Sequence, residues 1–159
     1  MNKPALILIN LGTPNSPSYF NVFKYLYEFL MDPRVIDIPL FFRFFLVTLI
    51  ICPFRSFTSS KIYKKLWDLS AGESPLLKNT KELTLKLNQA QDRYNVFFAM
   101  RYQNPSIKLI LSEIKKTNPS EIIIFPLFPH YASATSGSVY EDVTKKLSKE
   151  WVIPNIRFI

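Results

Sequence analysis

Three short stretches of the 159-residue sequence gather side chains that can do chemistry, and each follows an apolar run. The first is Asn10-Leu11-Gly12-Thr13-Pro14-Asn15 and the second Arg101-Tyr102-Gln103-Asn104-Pro105. The third runs from Pro126 through His130-Tyr131-Ala132-Ser133-Ala134-Thr135-Ser136 to Gly137-Ser138. Gly12 permits a tight turn or the close approach of a ligand. The hydroxyl-rich run ending at Gly137-Ser138 precedes a helical pattern, where backbone donors converge and can hold a phosphate or a carboxylate. The same residues also make ordinary turns and caps, and the chemistry alone does not separate the two uses. Neither the dinucleotide glycine pattern nor the Gly-x-x-x-x-Gly-Lys loop is present, which disfavours a nucleotide site. His130 is the one histidine. Without Cys or carboxylate neighbours at ligand spacing it reads as a hydrogen-bonded structural residue more readily than as a metal ligand.

The elements that must position these stretches are legible from periodicity. Four nearly all-apolar runs, at residues 5–10, 95–100, 121–128 and 156–159, read as strands of a parallel sheet covered on both faces. Between them lie helical patterns. One opens with Ser16 as cap and Pro17 at the first position, places Phe23, Leu26, Phe29 and Leu30 on one face, and ends at Asp32-Pro33. A second covers residues 59–69. A third follows Ser74-Pro75 with Leu76, Thr80, Leu83, Leu87 and Ala90 inward. A fourth opens at Asn104-Pro105 with Ile107, Ile110, Leu111 and Ile114 inward, and a last one after Gly137 buries Val139, Val143 and Leu147. Alternating strands and helices imply an α/β fold with right-handed crossovers, a doubly wound flavodoxin-like domain. In such sheets the ligand crevice lies beyond the carboxyl ends of the strands, where the three reactive stretches fall.

Composition bounds the function class. With 48% hydrophobic and 15% aromatic residues the chain is expected to fold. A net charge of +8 favours an anionic partner, but the lysines and arginines are scattered over helix faces, so nucleic acid is not expected. The single cysteine, Cys52, rules out an internal disulfide and a Cys-x-x-Cys metal site, as in a reducing cytoplasm.

Five blocks, in order, resemble the ferrochelatases: Leu8-Ile9-Asn10-Leu11-Gly12-Thr13-Pro14, residues 25–37 from Tyr25 to Asp37, Glu73-Ser74-Pro75-Leu76-Leu77, Ala99-Met100-Arg101-Tyr102, and Pro126 through Tyr131. The resemblance implies an enzyme that inserts ferrous iron into protoporphyrin IX or coproporphyrin III, in a cleft between two similar domains of which residues 1–159 are the first. It implies that Leu11 and Asn15 line the macrocycle near its metal face, and that Arg55, Tyr63, Trp67 and Ser74 contact porphyrin edges or propionates. It places Arg101 and Tyr102 at the base of the cleft and Ser133, Thr135 and Ser136 in its polar loop. The family's catalytic His, in a Ser-Ala-His motif, and its accompanying Glu belong to the second half, so no catalytic residue is expected within these 159 residues. No resident cofactor is implied, ferrous iron being a substrate. Residue 73 is Glu where the family has Gly.

The segment 39–55 is the most apolar. Its stretch 39–51 is too short, and interrupted by Arg43, to span a bilayer, which needs about 20 apolar residues. It reads either as a buried core helix or, from the resemblance, as a lip over the cleft that touches the membrane through Phe41, Phe44 and Leu46. In that second case Arg43, Arg55 and Lys61 would serve anionic lipid, in a protein that is cytoplasmic or peripheral on the inner face of the membrane. The chain stops at Ile159 within an apolar strand, an edge that calls for a missing C-terminal half or a partner; alone, these residues are expected to be inactive. Two rival functions are a cobalt chelatase of tetrapyrrole biosynthesis and a non-enzymatic tetrapyrrole-binding half-module.

Overall fold

In the computed structural model, which describes residues 2–159, the four apolar runs form one parallel sheet in the order β2-β1-β3-β4. β1 (Ala5–Gly12) pairs with both β2 (Asn95–Tyr102) and β3 (Ile122–Pro126), and the short β4 (Ile156–Phe158) pairs with β3. The expected α/β winding is therefore present. After β2 the chain crosses to the other side of β1, so the carboxyl ends of β1 and β3 flank the switch point where a ligand crevice opens.

Alternation along β1 divides the core. Ala5, Ile7 and Ile9 join Ile110 and Ile114 of α5 (Ile107–Lys116) and Val139, Val143 and Leu147 of α6 (Ser138–Leu147) in one buried cluster. All the inward residues expected for these two helices are buried. The other face of β1 carries Leu6, Leu8 and Asn10 towards α4 (Pro75–Ala90), where the Asn10 amide donates to Thr80 Oγ1 at 3.1 Å. This contact explains a departure: Thr80 and Thr84 are the buried residues of α4, while Leu83 and Ala90 face outward. The polar Asn10 needs a hydroxyl opposite it, and the helix turns to supply one.

Boundaries shift for local reasons. β1 and β2 each run two residues further than the apolar pattern, because Gly12 continues the ladder opposite Tyr102. α1 (Tyr19–Leu30) is capped by Ser18, whose Oγ accepts from the Asn21 amide at 3.4 Å, and not by Ser16. Ser16 instead accepts from the Asn21 side chain at 2.7 Å. α5 starts at Ile107 with Ser106 as its cap.

The largest difference lies before residue 59. α2 (Leu40–Phe45), a π turn (Leu46–Ile51) and α3 (Cys52–Leu69) run on as one helix of 30 residues. Pro53 explains the π turn: it has no N–H for the carbonyl four residues back, and its ring crowds that carbonyl, so the upstream turn widens. This helix is long and apolar enough, by length and composition, to cross a membrane. Residues 40–51 are not a core helix. Phe41 is 67% exposed and Phe42 63%, with Phe44, Phe45, Leu49 and Ile50 also exposed. Arg43 and Val47 are the exceptions and are buried, Arg43 donating from Nη1 to the carbonyls of Ile36 at 2.9 Å and Ile38 at 3.3 Å. Arg43 therefore ties the turn before α2 to the helix and is not available to lipid.

Candidate functional site

The three reactive stretches meet at the carboxyl rim of the sheet. Gly12 pairs with Tyr102, the Asn104 side chain donates to Asn15 Oδ1 at 3.3 Å, and Arg101 Nε donates to Ser138 Oγ at 2.7 Å. Gly12 makes the closest of these approaches, with a φ of +110° that L side chains rarely adopt.

A cavity of about 400 Å³ opens there, lined by Thr13, Asn15, Trp67, Ser74, Leu77 and Asn104 among others. Three of the expected site residues thus share one space. Trp67 and Ser74 are buried, and Asn15 is exposed at its mouth. Ser74 stands at the start of α4 but makes no capping bond with its side chain, which leaves its hydroxyl available to the cavity. The Glu73–Lys81 ion pair, at 2.8 Å, lies on the same wall. Glu73 in place of glycine does not disturb the turn, because the positive φ values fall on Ala71 and Gly72. Leu11 and Tyr63 are not in the cavity lining and pack instead on the cluster of Val22, Tyr25, Leu26, Val47, Cys52 and Tyr102. The Tyr63 ring stands edge-on to Trp67, centroids 5.7 Å apart, and to Tyr25, 6.3 Å apart. Burial pushes the Tyr63 and Tyr25 phenols up, so both stay neutral. Arg55 is exposed on α3.

The other expected residues do not line this cavity. Tyr102 has no exposed surface and packs edge-on against Phe29 at 5.3 Å, so it supports the rim from inside the core and offers no face to a ligand. Arg101 lines a separate cleft of about 450 Å³ between α1 and α6, with its Nη2 on Asp32 at 2.7 Å. Ser133, Thr135 and Ser136 occupy a π turn (Ser133–Gly137) before α6. Ser133 Oγ accepts from Arg34 Nη1 at 3.3 Å, Thr135 Oγ1 donates to the Ala132 carbonyl at 3.2 Å, and Ser136 lines a third hollow of about 360 Å³. His130 is exposed on the loop after β3, and among the described residues no three His, Cys, Asp or Glu side chains gather as a metal site.

Sequence reasoning missed Asp32 and Glu28, and it placed Ser138 in the third stretch without its partners. Asp32 read only as a helix stop beside Pro33, and three of its hydrogen-bond partners, Arg101, Tyr102 and Ser138, are far away in sequence. Glu28 accepts from both the backbone and the side-chain amide of Gln103, which holds that residue in a left-handed conformation at φ 67°. Nothing in the linear pattern pairs these residues.

Comparison with known proteins decides the family. Residues 3–159 match the profile of the ferrochelatase family. The chain belongs to the ferrochelatase family. It is 42% identical over 159 residues to proteins named ferrochelatase from Francisella tularensis subsp. holarctica (strain OSU18), subsp. tularensis (strain SCHU S4 / Schu 4) and subsp. novicida (strain U112). Each match takes in 99% of this chain and 47% of the relative. This ferrochelatase-family chain thus spans about half the length of the curated relatives it matches.

Proposed function

We propose that the chain forms one wall of a porphyrin cleft and, as part of a ferrochelatase, takes part in inserting ferrous iron into protoporphyrin IX or coproporphyrin III. The observation that carries this reading is the rim cavity shared by Asn15, Trp67 and Ser74 in a chain of this family. A porphyrin is a large apolar disc with carboxylates at its edge, and it asks for aromatic and aliphatic walls with a few polar anchors. Leu11, Tyr63 and Trp67 supply the wall. Asn15 and the free hydroxyl of Ser74 supply anchors at its edge, with Arg55 as a cation in solvent. Ser133, Thr135 and Ser136 serve as a polar loop further along the same rim.

Insertion also needs a base for the two departing pyrrole protons and a group that guides the metal. In this reading those come from sequence equivalent to the remaining half of the relatives, which closes the cleft. Iron enters as substrate, and no resident cofactor is required. The exposed side chains of Phe41 and Phe44, with Leu46 beside them, rest on the inner face of the membrane, so the protein is peripheral to it on the cytoplasmic side.

Anaerobic titration of the 159-residue chain with protoporphyrin IX, with and without ferrous iron, tests the reading. Saturable binding seen as a Soret shift, without conversion to a haem spectrum, is the expected result. Absence of binding would remove the porphyrin reading, and haem formation by these residues alone would remove the two-wall mechanism.

A further inference from the structure

One buried carboxylate joins the segments that frame the rim. Asp32 follows α1 with its side chain only 5% exposed. Its Oδ2 accepts from Arg101 Nη2 at 2.7 Å, from the Tyr102 hydroxyl at 2.9 Å and from the Ser138 hydroxyl at 2.5 Å. Its Oδ1 accepts from the Arg34 amide at 2.8 Å. Arg101 is equally committed: Nε donates to the Ser138 hydroxyl at 2.7 Å and carbonyl at 3.2 Å, and Nη1 lies 3.8 Å from Asp142. The Arg34 side chain reaches on to Glu141 of α6 and to Ser133 of the polar loop. The end of α1, the end of β2 and the start of α6 are thereby tied at a single pair of oxygens.

Arg101 therefore has its charge met within the protein, by Asp32 and Asp142, and has no need of a ligand carboxylate. Its influence on a bound porphyrin is geometric. Burial opposes ionisation of Asp32, but the Ser138 hydroxyl, the Arg34 amide, the Tyr102 hydroxyl and Arg101 outweigh it and hold the carboxyl below its usual range. A buried ion pair is weak evidence for stability, since well-packed apolar side chains often serve as well; what it fixes is a particular arrangement.

We propose that Asp32 is a positioning residue for porphyrin binding, acting through Arg101 and Ser138 to hold the end of β2 against the start of α6 and so to set the loop of Ser133, Thr135 and Ser136. The proposal rests on the porphyrin reading above.

The test is a double-variant cycle on the 159-residue chain, with protoporphyrin IX as probe and near-ultraviolet circular dichroism as the check on folding. Asp32→Asn and Arg101→Gln each weaken binding about tenfold, the scale of one charge-assisted hydrogen bond, and the double variant weakens it no further than the larger single loss. A role in stability alone lowers the melting temperature but leaves the affinity of the folded molecules unchanged, and that result overturns the proposal. Additive losses overturn it as well. If Asp32→Asn does not fold, Arg101→Gln and Ser138→Ala replace it in the same cycle with the same expectation. Wild-type chain that fails to bind overturns the porphyrin reading and this proposal together, whereas binding that Asp32→Asn leaves intact overturns this proposal alone.

Discussion

Gly12→Ala strikes where the ends of β1 and β2 close on each other. The added Cβ would lie 2.0 Å from the Tyr102 carbonyl oxygen and 3.0 Å from its carbon, whereas ordinary contact starts at 3.4 Å. The strand ends must part by over an ångström, or residue 12 must leave its φ of +110°. Backbone strain of this kind costs about 1–3 kcal/mol, and losing the ladder step opposite Tyr102 about 1 kcal/mol more. The sum, about 2–4 kcal/mol, is a large share of the 5–15 kcal/mol or so that holds a domain folded. Gly72 supplies the internal comparison: it has φ +87° but nothing within 4 Å of where a methyl would stand, so Gly72→Ala should cost only the backbone part, about 1 kcal/mol. Urea unfolding followed by circular dichroism, extrapolated to water, reads both. Equal losses, or a Gly12→Ala cost within about 0.5 kcal/mol of zero, would show that the rim is not closed at this point.

Three further perturbations probe separate parts of the account. Cys52 is fully buried and burial pushes its thiol up to about 11, so it should resist a thiol reagent at pH 8 in the native chain and react on unfolding; immediate labelling contradicts this. Asp32 is depressed when folded, so its stabilisation is complete above the unfolded value of about 3.9 and is lost as pH falls through the folded value. Acid unfolding should therefore be steeper in wild type than in Asp32→Asn, and parallel curves would refute that. Changing Phe41, Phe44 and Leu46 to Ser should leave the far-ultraviolet spectrum intact, since the two phenylalanines are exposed, while reducing sedimentation with anionic liposomes. Collapse of the fold would return the segment to the core.

The parallel sheet was legible because its strands read as nearly all-apolar runs, with β1 and β3 largely buried at its centre, and α5 and α6 because their inward residues recur at helical spacing. The α2–α3 helix was harder. Its exposed phenylalanines mask any amphipathic period, and Pro53 looks like a breaker where a π turn absorbs it. At the rim, Asn15, Trp67 and Ser74 were expected through resemblance, and the three share the lining of one cavity. Arg101 and Tyr102 were identified as reactive, yet their partners Asp32 and Ser138 lie 69 and 36 positions away respectively, and only folding brings them within bonding distance. Polar networks of this sort carry no periodicity, so a linear reading sees a helix stop and a loop serine in their place.

A porphyrin seated against the carboxyl rim, as proposed, would be seen in amide NMR of the chain titrated with protoporphyrin IX. A bound macrocycle shifts nearby protons through its ring current, so the largest changes are expected at the amides of Gly12, Asn15 and Ser74 and at the indole of Trp67. Changes concentrated on the outer faces of α5 and α6, or along Phe41 to Ile50 alone, would contradict it.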